Sequence, residues 1–94
     1  MSESFKEMSL SLVNRIAPGW ILRQPLSVRV QLDDDGGYLL SDETFYVYGE
    51  GATLSEAQHD YIRSLIEYFT IVSEYDDEPS CQLLAHLKQY LHQA

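Results

Sequence analysis

Cysteine and basic residues are scarce in this 94-residue chain, with one and six respectively, and each shortage closes off a class of protein. The lone Cys81 has no second thiol for an internal disulfide, and a zinc site built on two thiolates is ruled out. No apolar run approaches the ~20 residues of a membrane helix, and the first residues lack the basic-then-apolar form of a secretory signal. These shortages lead to the expectation of a soluble, cytoplasmic protein with no membrane partner. Six Lys and Arg against fifteen Asp and Glu leave a formal net charge of −9. Such a chain is repelled by phosphate backbones and anionic lipid, so no direct nucleic-acid binding is expected. A small basic protein is the partner that the charge favours. The length allows one modest core, hence a single domain over 1–94, and 12% aromatic residues argue for a folded chain over a disordered one.

The charge is segregated. Residues 1–31 carry four basic and two acidic side chains, whereas 32–79 carry thirteen acids and one base, Arg63. The last fifteen residues add only Lys88. No linker, repeat or low-complexity tract divides the chain.

Periodicity organises it into an expected α+β fold. Phe5, Met8, Leu12 and Ile16 recur at helical spacing behind a Ser4-x-x-Glu7 capping box, which predicts an N-terminal helix over 4–16 ended by Pro18-Gly19. The alternation Ser9-Leu10-Ser11-Leu12 leaves a strand open there, and the remainder of 1–25 reads as connector. Leu26, Val28, Val30 and Leu32 alternate with Ser27, Arg29 and Gln31 in a clear strand. Asp33-Asp34-Asp35-Gly36-Gly37 then makes a turn, and Tyr38-Leu39-Leu40 a short second strand. Ser41-Asp42-Glu43 turns again, and 44–50 reads as the third strand of an antiparallel meander. Thr53 caps the main helix in a Thr-x-x-Glu box closed by Glu56, whose carboxylate is expected to accept the cap's own N–H. Leu54, Ala57, Tyr61, Leu65, Phe69 and Val72 form one apolar row, widened by Ile62 and Ile66. Glu56, Asp60, Arg63, Glu67, Thr70 and Glu74 form the opposite face. After Asp76-Asp77-Glu78-Pro79, residues 80–92 read as a C-terminal helix with Leu83, Leu84, Leu87, Tyr90 and Leu91 inward.

Little in this pattern carries catalytic chemistry. Numbered as a calcium loop from Gln31, Asp33, Asp35, Gly36 and Asp42 fall at ligand-type positions, but Gln holds the first place and Asp the last, between strands where helices belong. A solvated hairpin turn accounts for them. His59 and Asp60 are adjacent on a helix and diverge; His86 and His92 are six apart, off the spacing of two ligands on one face. Surface or boundary histidines are expected, and Cys81 reads as a small buried hydrophobe. With no nucleophile elbow, phosphate loop or zinc-protease motif, the expectation is a protein that is no enzyme and takes no cofactor or metal.

The tyrosines carry the binding signal. If Phe45 and Val47 face the helix, alternation sends Tyr46, Tyr48 and Glu50 to the other side of the sheet. Either the N-terminal helix covers that side, or Tyr46 and Tyr48 present a protein-binding face, since tyrosine is enriched at interface hot spots. The candidate partner-binding residues are therefore Tyr46, Tyr48 and Glu50 with the acidic row Glu56, Asp60, Glu67 and Glu74.

Over roughly residues 26–72 the chain resembles the HicB-like antitoxin domain. Val28-Arg29-Val30 leads into Asp34-Asp35-Gly36-Gly37-Tyr38, and Gly51-Ala52-Thr53-Leu54-Ser55-Glu56-Ala57 opens a helix that continues to Leu65 and Tyr68. The resemblance implies a partial ribonuclease-H-like fold used to neutralise a small basic ribonuclease toxin. Ser41-Asp42-Glu43 stands where the family has a Pro-rich turn and Gly-Cys, and 80–94 offers one helix with one lysine in place of a C-terminal DNA-binding module. Operator binding is therefore not implied. Three other functions suit the same residues: a phage-type inhibitor that mimics nucleic acid, a structural domain that self-associates as a homodimer through its tyrosine face, and an enzyme using the loop acids and a metal.

Overall fold

The structure, a computed structural model, describes residues 7–93. It is α+β: one antiparallel sheet carrying two helices on one face. Strand β1 (Glu7–Ala17) and strand β2 (Trp20–Leu32) form a long hairpin joined at Pro18-Gly19, where Gly19 takes φ 81°. Proline followed by a positive-φ glycine is the composition of a type II turn. The helix expected over 4–16 is thus overturned across 7–16, and Ser4 and Phe5 lie outside the described residues. Met8, Leu10 and Leu12 pair with Val30, Val28 and Leu26 and share their core-side face. The alternating pattern prevails because β2 supplies both the backbone partners and the apolar face, which no isolated helix would have. The register shifts between Leu12 and Asn14, with Asn14 at φ 61°, and again between Arg15 and Ala17.

Strand β2 begins six residues before the expected position, at Trp20, inside the expected connector. The turn over 33–37 closes through Asp33 N–H to Gly37 O (2.8 Å) and Gly36 N–H to Asp33 O (3.0 Å), and leads into β3 (Tyr38–Ser41). The third strand of the expected meander is shorter than 44–50. It is β4 (Tyr48–Gly51), preceded by a loop over 42–47. Helix α1 (Leu54–Ser73) buries Ala57, Tyr61, Leu65, Phe69 and Val72, in agreement with the stripe read from the sequence. Gly49 and Gly51 face it, which lets its backbone lie directly on β4.

Helix α2 (Glu78–Lys88) starts at the Asp77 N-cap, whose carboxylate accepts the Ser80 amide and hydroxyl. Those two bonds hold the Asp77 carboxyl below its ordinary value, the hydroxyl's being the larger effect. The helix expected to reach residue 92 ends at Lys88. The chain then forms β5 (Leu91–Gln93), which pairs with the start of β2 at Trp20, Ile21 and Leu22. Arg23 N–H reaches Tyr90 O at 2.7 Å and Gln24 Nε2 reaches Gln89 O at 3.0 Å. These two donors on β2, one backbone amide and one side-chain amide, hold the carbonyls of Tyr90 and Gln89 and claim the chain for the sheet, so the helix does not continue. Leu87 and Leu91 are buried as expected, but Leu83 and Cys81 are exposed, which corrects both assignments. α2 buries only Leu87, and one buried position in eleven leaves its first turn facing solvent.

The expected meander is therefore a five-stranded sheet in the order β1-β2-β3-β4, with β5 beside the first residues of β2. Its core unites Leu22, Leu26, Val28, Val30, Leu40, Phe45, Val47 and Leu91 with the buried row of α1 and Leu87.

Thr53 caps α1 as read: its Oγ1 accepts the Glu56 N–H at 3.1 Å. The Glu56 carboxylate, however, accepts from Ala52 N–H at 3.1 Å, one residue before the expected donor. Thr53→Ala removes one partner of this box and should lower stability by about 0.5–2 kcal/mol. Denaturant melts with an unchanged midpoint would show that the cap contributes nothing.

Candidate functional site

Burial alternates strictly from Phe45 to Glu50: Phe45, Val47 and Gly49 are inside, and Tyr46, Tyr48 and Glu50 are outside. The expected division of these six residues is therefore observed, although only the second half is strand. Asp42 organises the first half. Its buried carboxylate accepts the N–H groups of Phe45 (2.5 Å) and Val47 (3.0 Å) and the Tyr61 hydroxyl (2.8 Å), and its own N–H meets Val47 O. The loop that results holds Tyr46 at φ 58° and 71% exposed. A carboxylate that returns the chain over five residues does the work of a turn. Asp42 was readable as a turn residue, but nothing in the sequence marked it as buried.

Tyr48 is 58% exposed on the sheet face away from the helices. Its cross-strand row is Ser41, Arg29 and Ser9, and Arg29 pairs there with the exposed Glu43. The N-terminal helix that would have covered this face is absent over 7–16, because β1 lies in the sheet itself. Among the described residues, no element packs over Tyr48.

The acidic candidates divide. Glu50, Glu56, Asp60 and Glu67 come together along one groove of about 820 Å³; its other wall is Ile16, Ala17 and Pro18 at the end of the β1–β2 hairpin. Ile62 and Ile66 provide apolar surface within it, and His59 and Arg63 also border it. Glu74, at the C-cap of α1, lies outside the groove. Sequence reasoning missed Ile16, Ala17 and Pro18 here. A contact between residues some fifty positions apart leaves no local signal, and the helical reading of 4–16 placed them elsewhere.

Two of the four acids have structural partners. Asp60 accepts the Glu50 N–H at 2.9 Å and the Arg63 guanidinium at 2.8 Å; the first bond, then the second, holds its carboxyl below the ordinary value. Glu56 serves the cap. Glu67 has no ion-pair partner among the described residues, and neither does Glu50, which sits two residues from Tyr48 on the same face of β4. Glu50 thus borders both the groove on the helix side and, by alternation along β4, the face that carries Tyr48.

The calcium-loop candidates separate, since Asp42 spends its carboxylate inside the core while Asp33 and Asp35 stay in the exposed turn. Among the described residues no group of His, Cys, Asp and Glu comes together to hold a metal ion. His59 and His92 are exposed, and His86 is half-buried with its ring centroid 4.9 Å from that of Phe45.

The fold and site define an α+β chain with an acidic groove against α1 and two exposed tyrosines, Tyr46 and Tyr48. Comparison with protein-family models, curated proteins and solved structures finds no match. No helix is long and apolar enough to cross a membrane among the described residues.

Proposed function

We propose that this chain is an acidic protein-binding module, a HicB-like antitoxin that neutralises a small basic ribonuclease toxin in the cytoplasm. The observation that carries the reading is the gathering of Glu50, Glu56, Asp60 and Glu67 along one groove, with Tyr48 exposed two residues from Glu50 on the sheet face away from the helices. Carboxylates around an apolar floor suit a Lys- or Arg-bearing segment whose aliphatic stem packs on Ile62 and Ile66 while its charge meets Glu67. The order strand, acidic Gly-Gly turn, two strands and capped helix supports the family assignment, being present as β2, residues 33–37, β3, β4 and α1. Binding without catalysis and without a cofactor is part of the same proposal.

Exposed carboxylates chiefly steer a partner, whereas desolvated tyrosines hold it. Glu67→Lys should therefore slow association with a basic partner and flatten its salt dependence. Tyr48→Ala should speed dissociation, at a cost on the order of 1–4 kcal/mol. Capture from the native host with mass spectrometry identifies the partner, and surface plasmon resonance then measures both rates. An acidic captured partner, or two variants that bind like the parent, would overturn the reading. A gene for a small basic protein beside this one distinguishes an antitoxin from an inhibitor that mimics nucleic acid.

A further inference from the structure

The two outer strands of the β1-β2-β3-β4 order are finished differently. At β4, carboxylates from α1 occupy the backbone donors: Asp60 takes the Glu50 N–H, and Glu56 takes the Ala52 N–H just beyond the strand. At the opposite edge, β1 pairs with β2 alone among the described residues. An open edge is a template for another strand, and proteins usually blunt it with lysine, proline or a bulge. Residues 8–13 contain no charge and no proline, and the first register shift comes only after Leu12.

The core-side row of this edge is also incompletely covered. Helix α1 lies over β4 and β3, so Met8 is 51% exposed and Leu10 and Leu12 are only half-buried.

We propose that β1 pairs antiparallel with β1 of a second copy, forming a two-fold dimer with one continuous sheet. Charge selects the occupant. The β1–β2 ribbon over 7–32 contains one acid, Glu7, and three arginines in a chain of net charge −9. Two copies approach with least repulsion along this ribbon, while a basic protein is drawn to the acidic groove instead. The strand is also complementary to itself. A one-residue slip would turn every side chain to the wrong face, so core side must meet core side. Pairing Leu10 with its own copy sets Met8 opposite Leu12 and Ser9 opposite Ser11, and uses the whole stretch before the Asn14 shift. Such an interface is isologous and closes at two subunits.

Sedimentation equilibrium of the full chain, from low to high micromolar, should report the mass of two chains. Leu10→Lys sets two ammonium groups opposite each other on the two-fold axis and should weaken association about tenfold or more. Leu10 is half-buried, so the double variant Ser9→Lys/Ser11→Lys, at two exposed positions, should do the same with the core untouched. Oxidation reads the register in a Cys81→Ser background. Leu10→Cys should cross-link to a dimer, because directly opposed antiparallel residues lie about 4.5–5.5 Å apart at Cα, within disulfide reach. Ser9→Cys, which opposes residue 11 and not itself, should cross-link far less. A chain that stays single throughout, a dimer that survives Ser9→Lys/Ser11→Lys, or equal cross-linking by both cysteine variants overturns the proposal.

Discussion

Gly49→Ala should destabilise the protein by about 3 kcal/mol or more, up to failure to fold, although it adds a single methyl group. A Cβ at this position would overlap the backbone N and Cα of Tyr61. Gly49 has no positive φ, so alanine's own backbone preferences are satisfied and the entire cost comes from the close approach. The helix cannot simply retreat. Tyr61 is fully buried, and its hydroxyl is tied to Asp42 at 2.8 Å. Gly51 meets the same helix, with Ala57 N 2.6 Å from a Cβ built there, so both ends of the contact would have to open together. Gly36→Ala is the comparison: φ is 89° but the space around it is open, and strain alone should cost about 1–2 kcal/mol. Denaturant midpoints measure both. Similar losses for the two variants would mean that α1 does not rest on β4 as described.

The second large effect is expected at Asp42. Asp42→Ala should cost about 3–5 kcal/mol, because it strands two backbone donors and a buried phenol at once. The Tyr61 part of that cost is separable. In a cycle with Tyr61→Phe, the double variant should lose less than the sum of the singles, since the phenol is no longer left without its acceptor. Strict additivity would remove the pair from the account.

The same pair predicts an alkaline limb. Burial, then the Asp42 charge, then their hydrogen bond push the Tyr61 phenol above the ordinary value of 10.0. The folded chain therefore keeps a proton that the unfolded chain releases. The stabilisation is complete below pH 10.0 and declines as the pH rises beyond it. Urea melts on the two sides of that value should show a steeper loss for the parent than for Tyr61→Phe. Equal slopes would place Tyr61 in a more polar setting than its burial indicates.

The candidate site was legible wherever a residue's role depends on its near neighbours. Tyr46, Tyr48 and Glu50 alternate with Phe45 and Val47 by the two-residue period of extended chain, which the loop over 42–47 maintains without ladder bonds. Glu56, Asp60 and Glu67 share a helix face by spacing alone. Their partners were not legible. Asp60 on the Glu50 amide joins residues ten apart, and the groove needs the hairpin end at Ile16–Pro18 laid alongside α1. Cys81 was misplaced for the related reason that only Leu87 of α2 reaches the core.

Local chemistry alone determined the 33–37 turn, the Thr53 cap, the buried stripe of α1 and the acidic start of α2. Each is decided by groups within about four residues of one another, where hydrogen-bond geometry and side-chain spacing act directly. Tertiary structure decided the rest. Residues 7–16 carry both a helical and an alternating apolar pattern, and only β2, reached across the Pro18-Gly19 turn, selects the strand. Residues 91–92 end a helical pattern but, with Gln93, pair with Trp20–Leu22, about seventy positions earlier. A strand's free energy resides in a partner that its own sequence does not contain, so for β1 and β5 the choice was made by the assembled sheet.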